Sequence, residues 1–266
     1  MARAPLVRPT DAPPTAHVAA VGEEPAAGGA ALDLSSSSAE LPAHVGIIMD
    51  GNRRWARSHG VPEIDGHAAG VEAIRGLLKH AVRRGIRVLT LYAFSRENWA
   101  RTDEEVVGLF GLLEAAIRSE TEELRAEGVQ VRLLGRLDEL PGETRHSIES
   151  ALAATHDGRR LVLNVAFNYA GRTELVDAVR RIVRSGVPAD AIDESTVALA
   201  LYTAGLPDPD LIIRTAGEHR MSNFLIWQAA YSEYYLTKVL WPDFGKTEVE
   251  KALISYSQRK RRFGAL

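Results

Sequence analysis

The segment Arg214-Thr215-Ala216-Gly217-Glu218-His219-Arg220-Met221-Ser222-Asn223 puts two guanidinium groups six residues apart around a glycine turn, with a serine hydroxyl just beyond. Arginine's planar fork matches phosphate oxygens, so this spacing suits a phosphate site. The plainer reading is an ion pair of Glu218 with an arginine and a surface His219. Asp50-Gly51-Asn52-Arg53-Arg54-Trp55 is a second such cluster. It reads either as a turn in which Asp50 caps a helix or as a diphosphate cradle. In a cradle Gly51 lets the backbone approach, helix-start N–H groups point at the ligand, and the arginines donate. Asp50 can then hold a divalent cation against the phosphate oxygens. The third cluster, Ser95-Arg96-Glu97-Asn98-Trp99-Ala100-Arg101, again joins a hydroxyl, an amide and two arginines. Ser95 or Asn98 capping a helix near Asp103 is its structural alternative.

Each cluster directly follows a short apolar run, and such runs recur along the chain. Val45–Met49, Ile86–Phe94, Val129–Leu134, Leu161–Phe167, Leu211–Ile213 and Tyr235–Leu240 read as six strands. Helical periods lie between most of them. Val71, Ile74, Leu77, Leu78, Ala81 and Val82 keep to one face before Gly85, and Val106 to Leu124 form a longer stripe ended by Gly128. Strands alternating with helices predict an α/β fold: one domain over 41–266, with a mostly parallel six-stranded sheet covered by helices. In such sheets ligands bind beyond the carboxyl ends of the strands, where all three clusters fall. Residues 1–40 differ. They hold 11 Ala and 5 Pro with no Ile, Phe, Tyr or Trp, and predict a disordered tail.

Composition narrows the chemistry. With 32 basic and 35 acidic residues, net charge −3, the chain lacks the cationic surface that nucleic-acid binding requires. The absence of Cys removes disulfides, thiol catalysis and Fe–S clusters. No apolar run approaches the roughly 18 residues of a membrane span, and no signal-peptide core precedes the domain, which together predict a cytoplasmic enzyme. Gly245-Lys246-Thr247 lacks the upstream glycine of a P-loop, and no dinucleotide fingerprint, H-E-x-x-H or G-x-S-x-G occurs. The run Arg259-Lys260-Arg261-Arg262 reads as an exposed helix face.

Taken in order, the motifs resemble the cis-prenyltransferases, the undecaprenyl diphosphate synthase relatives. His44-Val45-Gly46-Ile47-Ile48-Met49-Asp50-Gly51-Asn52-Arg53-Arg54-Trp55-Ala56 resembles the first signature. Gly66-His67-Ala68-Ala69-Gly70, Leu91 through Trp99, and Arg214 through Asn223 resemble the next ones, and Trp241-Pro242-Asp243-Phe244 with Arg261-Arg262-Phe263-Gly264 the ending. The resemblance covers about residues 41 to 266.

The resemblance implies condensation of isopentenyl diphosphate with an allylic prenyl diphosphate, Mg²⁺-dependent, by a homodimer with an apolar tunnel for the growing cis chain. It implies a medium-chain lipid-carrier precursor as product, with peripheral membrane contact at release. A short neryl- or Z,E-farnesyl-type product, a non-catalytic family subunit and a phosphate-ester hydrolase are the alternatives. By the same resemblance Gly51, Asn52, Arg53, Arg54 and His67 serve the primer. Arg214, Arg220 and Ser222 serve isopentenyl diphosphate, and Trp55, Ser95, Arg96, Glu97, Trp99, Arg101 and Met221 are further implied substrate-binding residues. Asp50 and Glu233 are the implied Mg²⁺ ligands, and Asn98 the implied proton acceptor. A neutral amide is a very weak base, so Asn98 is expected to orient substrate while a diphosphate oxygen takes the proton. The stripe Val106–Leu124 is a candidate tunnel wall, and small Ala93 favours long products. Many bacterial members carry glycine at the place of Arg53 and arginine at that of Glu63. Here Arg53 is expected to supply the charge that Glu63 cannot.

Overall fold

The computed structural model describes residues 41–259. The expected tail 1–40 and the arginines Arg261 and Arg262 lie outside the described residues. Six strands form one sheet: β1 His44–Ile48, β2 Val88–Ser95, β3 Val129–Leu134, β4 Leu161–Tyr169, β5 Leu211–Arg214 and β6 Glu233–Leu236, in the order β3-β4-β2-β1-β5-β6. Every neighbouring pair is parallel, not merely most of them. Helices α1 Asn52–His59, α2 Glu63–Arg84, α3 Asp103–Ala126, α4 Gly142–Thr155, α5 Gly171–Ser185, α6 Glu194–Ala200 and α7 Lys246–Ser257 connect and cover them.

Several strand boundaries depart from expectation, those of β2 and β6 among them. Ile86 is not in β2: its N–H donates to Ala81 O as α2 unwinds through left-handed Gly85. The last strand begins at Glu233 and stops at Leu236, short of the expected Tyr235–Leu240 run. Val239 and Leu240 instead belong to a loop, in which Val239 O accepts from Ala216 N at 2.8 Å.

Because both sheet faces are covered, the inner strands are apolar on both sides; β1 is buried throughout. One face packs Val45, Ile47, Leu89 and Leu91 against Leu77 and Leu78 of α2 and Leu253 of α7. Phe94, Trp99, Phe110 and Phe167 form a second cluster under α3 and α4. The chain leaves β1 toward β2 on one side, whereas β5 and β6 lie on the other. That reversal opens a crevice above the carboxyl ends of β1 and β5. Asp50 follows one strand and Arg214 ends the other, so the topology brings these two residues together.

Candidate active site

Asp50 does not cap α1. The cap position is Gly51 at φ 113°, a conformation only glycine adopts readily, and no side chain bonds the helix start. The Asp50 carboxylate is turned across the crevice. Oδ2 accepts from Arg214 Nη2 at 2.9 Å and Oδ1 from Arg54 Nη2 at 3.3 Å. Its backbone is clamped from two sides: Thr215 Oγ1 accepts from Asp50 N at 2.9 Å and donates to Asp50 O at 2.6 Å, while Trp241 N donates to the same carbonyl at 3.0 Å. Position and direction of the acid are therefore set by β5 and the loop before α7.

Arg214 is 4% exposed, a buried charge held by neighbours. Nη1 donates to Ser222 Oγ at 2.7 Å and to Arg220 O, and Nη2 reaches Asp50. Its Nε has no hydrogen-bond partner among the described residues. The loop that wraps it is strained: Ala216, Ser222, Asn223 and Leu225 all have positive φ without being glycine. Such conformations cost about 1–3 kcal/mol each and tend to gather where function over-determines the backbone.

A cleft of about 540 Å³ lies above these residues. Its wall takes Asp50 and Asn52 from the first cluster, Ser95, Glu97, Asn98 and Arg101 from the second, and Arg214, Arg220 and Ser222 from the third, with His67 from α2. Asn98 Oδ1 accepts from Ser95 N at 3.0 Å, which commits its carbonyl to capping and leaves the amide with hydrogens to offer. At the cleft floor the Asn52 amide donates to His67 Nδ1 at 3.3 Å, which assigns the ring hydrogen to Nε2. Nε2 lies 3.5 Å from Glu105 Oε1, an ion-pair distance, and among the described residues both His67 Nε2 and Asn52 Oδ1 lack hydrogen-bond partners. Burial, then the Arg101 guanidinium, hold the His67 pKa below its ordinary value. Unmet polar atoms on a cleft floor are what a polar ligand would satisfy.

The cleft continues into a second, apolar cavity of about 210 Å³. Met49, Asn52, His67, Ala93 and Leu109 line both spaces. Deeper walls come from Leu91, Leu113, Ile117, Leu124, Val165 and Phe167.

Several expected residues stand elsewhere. Trp99 is a core residue, its Nε1 donating to Asn168 Oδ1 at 2.9 Å and its ring packed on Phe94 and Phe110. Arg96 turns to Glu139. Trp55 stacks on His59 and donates to Asp243 Oδ1 at 2.9 Å, tying α1 to the loop before α7. Met221, partly buried, packs against the core cluster around Phe224. Arg53 and Arg54 stand beside the cleft; Arg54 Nη1 donates to Ala216 O at 2.8 Å. Glu233 requires the larger correction. It opens β6 opposite Leu211, the first residue of β5, and so lies at the other end of the sheet from Asp50. Arg259 Nη1 donates to it at 2.6 Å. Within one chain the two carboxylates cannot share an ion.

Three wall or support residues went unrecognised in the sequence. Tyr92 lines the cleft and donates to Ser222 O at 3.2 Å. Thr215 fixes the Asp50 backbone, and Glu105 gathers Arg101 at 2.7 Å and Arg53 at 3.7 Å. Tyr92 and Thr215 fall inside the motifs Leu91 through Trp99 and Arg214 through Asn223; Glu105 carried no signal beyond its place in a helix.

Among the described residues no three His, Asp or Glu side chains form a cation cage. The donor set is one carboxylate between two arginines, 30% exposed. Mg²⁺ is commonly held by one or two carboxylates together with substrate phosphates and water, and Asp50 fits that use.

The undecaprenyl diphosphate synthase family (Prenyltransf) matches residues 48–264. The chain is 49% identical to an isoprenyl transferase of Heliobacterium mobile over 230 residues, covering 85% of this chain and 88% of that one. It is 48% identical to an isoprenyl transferase of Aquifex aeolicus, over 85% and 97% of the two chains. Among solved structures it is similar to lavandulyl diphosphate synthase from Lavandula x intermedia in complex with dimethylallyl diphosphate, at TM-score 0.83 and 37% identity, covering 85% of this chain and all of that one.

Proposed function

Because the chain belongs to the undecaprenyl diphosphate synthase family of prenyltransferases, we propose that it condenses isopentenyl diphosphate with an allylic prenyl diphosphate to give a cis-polyprenyl diphosphate and free diphosphate. One observation carries this reading: an arginine-walled cleft opens directly into an apolar cavity through Asn52, His67 and Ala93. A diphosphate head fits the first space and a hydrocarbon tail the second.

Breaking the allylic C–O bond builds negative charge on the departing diphosphate. Arg54, with Asn52 and His67 on the floor below it, stabilises that charge more in the transition state than before it. Arg214, Arg220 and Ser222 hold the second diphosphate, placing its alkene against the primer's first carbon. Asp50 would hold Mg²⁺, which supplies further neutralisation of phosphate oxygens when bound. Asn98 donates from its amide and orients substrate, and the proton released after carbon–carbon bonding goes to a diphosphate oxygen.

A medium-chain lipid-carrier precursor is the product we favour, since Ala93 leaves the cavity entrance open. The match to all of lavandulyl diphosphate synthase favours a short-chain synthase as the second reading. We also propose a homodimer. Val176, Val179 and Val183 form an exposed apolar line on α5, beside exposed Leu199 of α6, and two-fold assembly is the commonest way to cover such a face. No described helix is long and apolar enough to cross a membrane; a cytoplasmic enzyme that meets the bilayer peripherally at product release completes the proposal.

The test is incubation with farnesyl diphosphate and isopentenyl diphosphate, with and without Mg²⁺, read by product mass. Products lengthened by five-carbon units only with Mg²⁺ support the reading, and release of phosphate without carbon–carbon bonding refutes it. Asp50→Ala should lower kcat by roughly 10²–10³ while primer binding changes much less.

A further inference from the structure

The apolar cavity has one charged stretch in its wall. Its lining includes Glu72 and Arg75 of α2 and Glu120 of α3, against a background of leucine, valine and isoleucine. Arg75 and Glu120 face each other across the seam between the helices in a bidentate pair: Nε donates to Oε2 at 3.0 Å and Nη2 to Oε1 at 2.5 Å. Glu72 holds the third nitrogen, Nη1, at 3.0 Å, and Ser119 Oγ donates to Glu120 Oε1 at 2.8 Å. One turn further along, Lys79 Nζ lies 2.6 Å from Glu123 Oε1.

Behind the pair lies a second, smaller cavity of about 30 Å³, lined by Val82, Glu127 and Val129 as well as by Arg75 and Glu120 themselves. Leu78 and Leu124 also line both cavities. The ion pair is therefore a partition between two spaces. It stands away from the cleft, toward the solvent side of the helix seam: Arg75 is eight residues beyond His67 on α2, about 12 Å at 1.5 Å per residue, and its side chain is 40% exposed against 21% for Glu120.

We propose that Arg75 and Glu120 form a shutter across the far end of the cavity and set where a growing hydrocarbon chain stops, an inference that rests on the prenyl-transfer activity proposed above. While the tail lengthens against leucine and valine, each added unit gains by leaving water. At the shutter the next unit meets a fixed, fully paired guanidinium–carboxylate fork. Further growth must part the two side chains and displace water from their partly exposed charges, a cost that apolar contact does not return. Removing either partner joins the two cavities and extends the path toward Val82 and Val129. Both residues act on specificity and neither touches the reacting carbons.

The experiment compares the wild-type chain with Arg75→Ala, Glu120→Ala and Arg75→Lys, using farnesyl diphosphate, isopentenyl diphosphate and Mg²⁺, with products sized by mass. Both alanine variants should give products at least one five-carbon unit longer, with the rate of the first addition unchanged. Arg75→Lys, which keeps a charge pair, should stay near the wild-type length. A helix staple with no role in specificity would move thermal stability and leave product length alone, and that result, or shorter products, overturns the shutter. Binding of saturated, unreactive alkyl diphosphates of increasing length is the second arm. Affinity should level off with length in the wild type and keep rising in Arg75→Ala; the same plateau in both overturns the proposal. The two arms separate the two claims. A wild type that makes no condensation product but shows the shifted plateau refutes the transferase reading and keeps the shutter, whereas lengthened wild-type products with no shift in any variant do the reverse.

Discussion

Glu63 puts a carboxylate where a diphosphate is expected to approach, and the residues around it resolve the conflict. Arg57 Nε and Nη2 both donate to its Oε1, at 3.2 and 2.6 Å, and Arg53 Nη1 stands 3.8 Å from its Oε2. The Arg57 hydrogen bonds, helped by the Arg53 charge, hold the Glu63 pKa below its usual range, so the group stays ionised and partnered. Arg57 thus takes most of the carboxylate's charge, and Arg53, also 3.7 Å from Glu105, remains a cation beside the cleft. Arg53→Gly should raise the primer KM roughly five- to tenfold, on the order of 1 kcal/mol for a half-exposed charge. Adding Glu63→Arg in that background should recover most of the loss, because the two positions share one charge requirement and will not behave additively. Steady-state kinetics on the single and double variants decide it: equal primer KM in wild type and Arg53→Gly removes Arg53 from the site.

At the scale of elements, the cleft floor depends on how closely α1 and α2 approach. Gly66 and Gly70 lie one turn apart on α2, facing Asn52. A Cβ on Gly66 would come within 2.3 Å of Asn52 O, and one on Gly70 within 2.7 Å of Asn52 Oδ1 and 2.9 Å of the Trp241 ring. Trp241 Nε1 also donates to Gly70 O at 2.8 Å, locking the third partner. Gly70→Ala should therefore displace Asn52, cost about 1–3 kcal/mol of stability as overpacking does, and raise the primer KM. Gly76→Ala on the same helix meets nothing within 4 Å and should stabilise by about 0.5–1 kcal/mol. Denaturant titration of both variants checks the contrast; equal effects would mean the seam is loose. The same elements show what was readable. Apolar period gave α2 and α3 with their glycine stops, because each keeps its apolar side chains to one face, packed on the core or lining the apolar cavity. It misplaced β6, an edge strand whose Glu233-Tyr234-Tyr235-Leu236 alternates in exposure, while the apolar residues after it pack as loop. Within Ser95–Arg101, adjacency in sequence hid a tight 3₁₀ turn that sends Ser95, Glu97 and Asn98 to the cleft but Arg96 and Trp99 away from it. The Arg75–Glu120 pair was not readable at all, since it depends on the register of two helices that no local pattern fixes.

Across the whole molecule, a polar ladder runs through the buried sheet and ties its stability to pH. Asn164 Nδ2 of β4 donates to Thr90 Oγ1 of β2 at 2.9 Å, and Thr90 donates in turn to His44 Nε2 of β1 at 2.7 Å. His44 Nδ1 donates to Pro207 O at 2.7 Å. Nearby Asp210 accepts from Ala43 N and His44 N at 2.8 and 3.1 Å, fixing the start of β1 against the loop before β5. Both imidazole nitrogens are thus used by a neutral ring: one donates, the other accepts. Burial pushes the His44 pKa down to about 4 from 6.5, against the opposing pull of the Pro207 carbonyl and the Asp210 charge. Above pH 6.5 the ring is neutral folded or unfolded, and it contributes no slope. Between 6.5 and about 4 the unfolded chain binds a proton that the folded chain refuses, so stability falls as pH falls, by up to about 3 kcal/mol over that window. Below about 4 the folded ring is protonated too. The Thr90 hydroxyl then loses its acceptor, and no further loss comes from this group. His67, also held below its ordinary pKa mainly by burial, adds a slope of the same sign, so the wild-type profile alone cannot isolate the ladder. His44→Gln removes the titration while keeping a donor and an acceptor on the side chain. Its unfolding free energy should be lower than wild type at pH 7, and the gap should narrow steadily toward pH 4. Urea titrations at several pH values between 4 and 7 measure both lines. If the two remain parallel, His44 is not the group that refuses the proton, and the ladder stabilises the sheet by its hydrogen bonds alone.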